Sequence, residues 1–158
     1  MARITPSFWF ADKAEEAAAF YVSIFPDSEL VRVTALPVES PSGPADSVQV
    51  VDFKLAGQPF LAMGAPQIAP FNHAISFVVN CADQAEVDHY WHALSQGGTV
   101  QQCGWLKDRF GVFWQIVPLA LGQMMADPDR EKAARMSRAM LKMVKLDIAG
   151  LKKAFEGG

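Results

Sequence analysis

A strand-like run followed by an acid-capped helix occurs twice in this chain at nearly constant spacing. Asp12 precedes an alanine-rich stretch with Glu15 three positions on, and Asp83 with Glu86 restates that pair 71 residues later. The aromatic dipeptides Phe20-Tyr21 and Tyr90-Trp91 keep an interval of 70 residues. An acid at the N-cap with Glu three residues later is the reciprocal arrangement that satisfies free backbone N–H groups at a helix start. Its recurrence in register with other elements marks one supersecondary unit used twice.

The elements around each pair agree with that. ITPSFWF, residues 4 to 10, is rich in β-compatible residues and predicts a strand. The helix after Asp12 places Ala14, Ala17, Ala18, Tyr21, Ile24 and Phe25 at helical spacing and stops before Pro26. LVRVTAL alternates as a strand, and the proline-rich 37 to 47 reads as an exposed, mobile loop. SVQVVDFKLAG and QPFLAMG predict a hairpin around Gly57. In the second copy HAISFVV (73 to 79) is the opening strand. Val87, Tyr90, Trp91 and Leu94 form the buried stripe of its helix, which ends at Gly97 and Gly98. TVQQCGWL and VFWQIV supply further strands on either side of KDRFG.

The remaining residues, 127 to 158, predict a helical appendage with Asp127 as N-cap and Pro128 at the first helical position. Met136, Met140, Met143, Val144, Ile148, Leu151 and Phe155 would form one apolar stripe, with Gly150 as the point of interruption. Such a stripe must be buried on its own domain or on a partner. The expected organisation is a domain over 1–126, made of module one (about 1–70) and module two (about 71–126), followed by that appendage.

Composition excludes several classes of function. A net charge of −3 provides no basic footprint for nucleic acid or an anionic membrane surface. The longest apolar runs are too short and too interrupted to span a bilayer. MARITPSFWF lacks the apolar core and cleavage site of a signal peptide, and two cysteines make no disulfide framework. The expectation is a reduced, cytoplasmic protein.

The doubled β-α-β-β-β pattern, opening with ITPSFWFADKAEEAAAFYVSIFPDSEL, resembles the glyoxalase/bleomycin-resistance (vicinal oxygen chelate) superfamily. FNHAISFVVNC, QQCGWLKDRFGVFWQIVP and DPDREKAARMSRAMLKM bring the similarity closer to its PhnB-like branch. Members of that branch often carry the label 3-demethylubiquinone-9 3-methyltransferase. The resemblance implies an α+β fold, with two βαβββ modules forming a curved mixed sheet around a cleft, a C-terminal helix and a homodimer. The label's literal chemistry finds little support in the residues. A nucleotide site usually needs a glycine-rich strand-to-helix turn, and FADKAEE and NCADQAE contain no glycine.

Metal-dependent members place His, Gln or Glu ligands on the first and last strands of each module. By that resemblance Gln115 stands at the ligand position of module two's last strand, and Leu61 at that of module one. The first strands offer Thr5 or Ser7 in module one, and His73 or, with a slipped alignment, Ala74 in module two. His73 and Gln115 alone are two neutral donors, whereas catalytic zinc takes three protein ligands. The expectation is therefore no cofactor, with Gln115 hydrogen-bonded in the cleft or touching an organic ligand, and His73 an ordinary hydrogen-bonded histidine. A divalent metal on His73 and Gln115 is the alternative.

Other residues carry less. His89 and His92, three apart on the second helix, could ligate but lie on a polar face. Cys103 has no base near it in sequence and reads as a small hydrophobe. Asp108 and Arg109 read as a solvated charged turn. The aromatic residues suffice for a core and a pocket together, with Trp105 and Trp114 as preferred pocket walls beside Gln115, and Phe8 and Phe10 also lining it. The expected function is binding of a small flat or hydrophobic molecule. Alternatives are a metal-dependent lyase, isomerase or dioxygenase, and a dimeric scaffold built on the methionine-rich helix.

Overall fold

The computed structural model describes residues 3–66 and 69–158. The chain divides into two compact units, Met1–Pro70 and Phe71–Gly158. Unit 1 runs β1 (Ser7–Phe10), α1 (Ala14–Ile24), β2 (Glu29–Ala35), β3 (Gln49–Leu55), β4 (Gln58–Gly64). Unit 2 runs β5 (Phe77–Cys81), α2 (Gln84–Ser95), β6 (Thr99–Val100), β7 (Trp105–Lys107), β8 (Phe113–Pro118) and then three helices. The sheets have identical topology, β1-β4-β3-β2 and β5-β8-β7-β6, each with its first strand parallel to its last and the other pairs antiparallel. The fold is α+β, and the duplication expected from sequence is present strand for strand.

Alternation then decides what each sheet buries. In unit 1 the face carrying Phe8, Phe10, Val51, Phe53, Phe60 and Ala62 lies under α1, and these residues are at most 8% exposed. The Phe8 ring sits 5.6 to 6.3 Å from those of Phe10, Tyr21, Phe53 and Phe60. Gly64 leaves room for the helix start, since a Cβ there would stand 3.2 Å from that of Ala14. The β3–β4 hairpin turns through Ala56 (φ 47°) and Gly57 (φ 76°), two consecutive left-handed residues that match the strands' own twist.

Several local expectations change. Asp12 does not cap α1. Lys13 takes that position in a left-handed conformation (φ 54°) with no side-chain cap, and Glu15 reaches across to accept from Gln49 Nε2 at 3.2 Å. The second copy keeps its cap: Glu86 N donates to Asp83 Oδ1 at 2.9 Å, while Glu86 Oε2 accepts from Ala82 N at 2.7 Å. β5 begins at Phe77, not at 73, because Asn72 Oδ1 accepts from Ala74 N and bends the chain there. The stretch 99 to 106 is not one strand. Cys103 (φ 59°) and Gly104 (φ 80°) reverse it between β6 and β7, and a Cβ at Gly104 would stand 2.8 Å from Ile116 O.

The single C-terminal helix is replaced by α3 (Leu119–Met125), α4 (Arg130–Met140) and α5 (Ile148–Glu156). Asp129, not Asp127, caps α4, accepting from Glu131 N and Lys132 N. Asp127 instead accepts from Asp129 N, an Asx turn that holds the chain out of helix two residues longer. The break falls after Met140, and Gly150 is helical, with its N–H donating to the N-cap Asp147. Met136 and Leu151 are fully buried with Leu121, Met124 and Leu146, flanked by Met140, Met143 and Phe155, while Val144 is 42% exposed. Most of the methionine stripe thus packs, wholly or partly buried, against the helices of unit 2 itself.

Asp108 also departs from expectation. It is 2% exposed, not solvated. Oδ1 accepts from Phe110 N at 2.8 Å and Val112 N at 3.0 Å, and Oδ2 accepts from Trp114 Nε1 at 2.8 Å. The carboxylate closes the β7–β8 turn from within. Asp108→Asn, which turns an acceptor into a donor facing N–H groups, should destabilise the protein by about 1.5–3 kcal/mol. Leu151→Ala should lower stability by about 2–5 kcal/mol. Urea unfolding measures both, and an unchanged midpoint for Leu151→Ala would mean that α5 lies outside the cooperative fold.

Candidate functional site

Residues 113 to 118 of β8 alternate between two environments. Trp114, Ile116 and Pro118 lie with Leu106 on the face covered by α2, and Trp114 is only 3% exposed. Phe113, Gln115 and Val117 therefore lie on the other face. Register adds the neighbours: Gln115 stands between Trp105 of β7 and Val78 of β5, and Phe113 stands beside Lys107.

That face, turned away from α2, carries several polar groups beside Phe113 and beside Val117, which packs against the C-terminal helices. Gln115 is partly buried, and its Nε2 donates to Ser76 Oγ at 2.9 Å. His73 Nε2 is 2.9 Å from Gln101 Oε1. The His73 ring stands 4.0 Å from Phe113 at 44° and 5.7 Å from Trp105 at 49°. Lys107 Nζ lies 5.8 Å from the centre of the Phe113 ring. Phe113 is 5% exposed, yet His73 and Lys107 beside it are both exposed. The result is a shallow aromatic corner edged by two amides, a hydroxyl and one ammonium.

Of the residues singled out from sequence, Gln115, Trp105 and His73 come together on this face. Trp114, Phe8 and Phe10 do not. Trp114 is the chain neighbour of Gln115 and so points the opposite way, into the core with its indole N–H on Asp108. Phe8 and Phe10 belong to the ring stack beneath α1. Sequence reasoning counts Phe113 among the aromatics available to line a pocket but not among the preferred walls, and it misses Gln101, Ser76 and Lys107. Two-residue alternation from Gln115 pointed to Phe113 without any structure. Gln101 and Ser76 lie outside regular strands, and no pattern announces them.

The equivalent place in unit 1 has different chemistry. Ser7 pairs with Leu61 as Val78 pairs with Gln115, so Leu61 holds the position of the glutamine. A hollow of about 550 Å³ opens there, lined by Thr5, Arg32, Asp52, Lys54, Pro59 and Leu61. Its charges are paired: Arg32 with Asp52 at 2.8 Å, and Lys54 with Glu29 at 2.7 Å.

A divalent cation does not fit these donors. His73 and Gln115 supply no negative charge and each is engaged elsewhere, and no strand position on the face turned from α2 carries a carboxylate. Among the described residues no group of three or more His, Cys, Asp and Glu could hold a metal. His89 and His92 lie exposed on α2. Both cysteines are free. Burial, with Glu86 and Asp83 nearby, pushes the Cys81 thiol up to about 11, which keeps it protonated and unreactive at neutral pH.

The family model described as 3-demethylubiquinone-9 3-methyltransferase matches residues 2–117. The structure of the PhnB protein from Bacillus cereus is 31% identical over 74% of this chain and 99% of its own, with a TM-score of 0.65. Protein PA1353 from Pseudomonas aeruginosa is 22% identical over 75% of this chain and 98% of its own, with a TM-score of 0.54. The fosfomycin resistance protein FosX from Mesorhizobium loti shares the fold at 16% identity, over 80% of this chain and all of its own, with a TM-score of 0.57. No curated protein sequence matches the chain. With a family model spanning most of its length and the duplicated topology observed directly, the chain belongs to the 3-demethylubiquinone-9 3-methyltransferase (PhnB-like) family of the glyoxalase/bleomycin-resistance superfamily.

Proposed function

We propose that the protein binds a small organic molecule on the uncovered face of the unit 2 sheet, with Trp105, Phe113 and His73 as the stacking wall and Gln115 as the orienting amide. The observation that carries this is the His73–Phe113–Trp105 corner. An exposed imidazole sits on a phenyl ring beside amides that offer both donors and acceptors, which is how sites for small ligands are lined. The family description names a methyl transfer. Neither strand-to-helix junction contains the glycine-rich turn that would cradle a nucleotide, so that description does not guide the proposal.

A metal-dependent reaction is the second reading, favoured by one observation outside this chain: FosX from Listeria monocytogenes has a structure with Mn(II) and sulfate. The neutral donor pair here argues against it, as does Leu61 at the position matching Gln115. A homodimer and a reduced cytoplasmic setting complete the proposal. The dimer rests on the superfamily resemblance alone, since the methionine stripe is satisfied within unit 2. The setting agrees with two free cysteines and with the lack, among the described residues, of any helix long and apolar enough to cross a membrane.

Amide NMR with a panel of small planar aromatics, 2-naphthamide among them, tests the first reading. The shifts should cluster on His73, Gln101, Trp105, Phe113 and Gln115, and Trp105→Ala should weaken binding roughly tenfold, as loss of a stacking aromatic does. Shifts confined to other surfaces, or none from the whole panel, would sink it. Thermal unfolding with Mn(II) separates the second reading. A micromolar site at a hundredfold excess of free metal would add about 2.7 kcal/mol, several degrees in the midpoint. The expected outcome is no rise for the wild type.

A further inference from the structure

We infer that the ligand of the unit 2 face is a planar anion, an aromatic or conjugated acid whose carboxylate is met by Lys107 while its ring lies against His73, Phe113 and Trp105. This rests on the binding site of the preceding subsection and adds the charge of what binds there. The strand positions of that face are Thr99, Trp105, Lys107, Phe113, Gln115, Val117, Val78 and Asn80, so the lysine holds the only formal charge among them. Its ammonium is exposed, and none of the ion pairs among the described residues includes it. The unit 1 hollow is the contrast, because there each cation already has a carboxylate.

Geometry ties the charge to the stacking wall. Lys107 pairs directly with Phe113 in the antiparallel ladder, and its Nζ stands 5.8 Å from that ring. His73 approaches the same ring to 4.0 Å. Phe113 thus has an ammonium and an imidazole beside it, and a flat molecule stacked at this corner brings its edge within reach of the ammonium. An acid gains a charge contact at that edge. A neutral amide gains only a hydrogen bond, and a cation meets repulsion. Gln101, Gln115 and Ser76 serve the remaining polar atoms of such a ligand, since each offers a donor and an acceptor.

Three probes of one shape separate the charge from the ring: 2-naphthoate, 2-naphthamide and 2-naphthylmethylammonium, each titrated into the full-length protein and followed by amide NMR. The acid should bind roughly fivefold tighter than the amide, the gain expected of one exposed charge contact at about 4 Å, and the ammonium weaker than both. Lys107→Met, which keeps the stem over Phe113, should bring acid and amide to equal affinity. Lys107→Arg should restore the preference, and higher ionic strength should shrink it. Equal binding of all three probes at this face, tightest binding by the ammonium, or an acid preference that survives Lys107→Met would overturn the anion inference and leave the small-molecule site standing. If no probe perturbs the face, the site itself fails and the inference with it.

Discussion

A single helix can remove only one face of a four-stranded sheet from water, and in each unit one helix, α1 or α2, lies along one face of the sheet. The main apolar cluster of each sheet is therefore on that side, with Phe113 the buried exception on the other face in unit 2. In unit 1 that is the stack of Phe8, Phe10, Phe53 and Phe60 under Tyr21. In unit 2 it is Leu106, Trp114 and Ile116 beside Val87 and Leu94. Burying roughly 25 cal/mol for each Å² of apolar surface, these stacks supply the main driving force of each module. The opposite faces are left to carry polar and half-exposed groups, and the chemistry of the protein is confined to them.

The two copies used that freedom differently. Unit 1 filled its uncovered face with matched charges, Arg32 on Asp52 and Lys54 on Glu29. Exposed pairs of this kind add little stability, but they leave no charge for a visiting ligand to meet. Unit 2 placed Gln115 where unit 1 has Leu61, set an imidazole on Phe113, and left Lys107 outside the ion pairs among the described residues. Duplication made the two scaffolds alike, and divergence of a few outward positions made them chemically distinct.

Duplication was legible because it depends on spacing, which a sequence displays directly. The matching of Leu61 with Gln115, implied by the family resemblance, agrees with strand register. What failed depended on orientation or on distant partners. Phe8, Phe10 and Trp114 are apolar and aromatic, and nothing in their identity says which face they take until the helix side is known. Asp108 looked like a solvated turn residue because its three donors, two backbone amides and an indole, become neighbours only once the turn has closed. The long C-terminal stripe kept helical period across a stretch that is not helical, since residues of two short helices and the loop between them pack on one core. Ser76 and Gln101 could not have been found by pattern, because each meets its partner across the fold.

The segment between α4 and α5 touches the turn that precedes β7. Cys103 N donates to Met143 O at 2.9 Å, and Gly104 N donates to Val144 O at 2.8 Å. Gln84 ties the same segment to α2, donating to Leu146 O and accepting from Ile148 N. The family match ends at residue 117, so the shared part of the chain contains two amide groups whose acceptors lie beyond it. A backbone donor shielded from solvent must find an acceptor somewhere. The tail is thus a brace wedged behind the bend that aims Trp105, and a shorter cousin would have to recruit water or a different stretch of chain to keep that indole at the same angle.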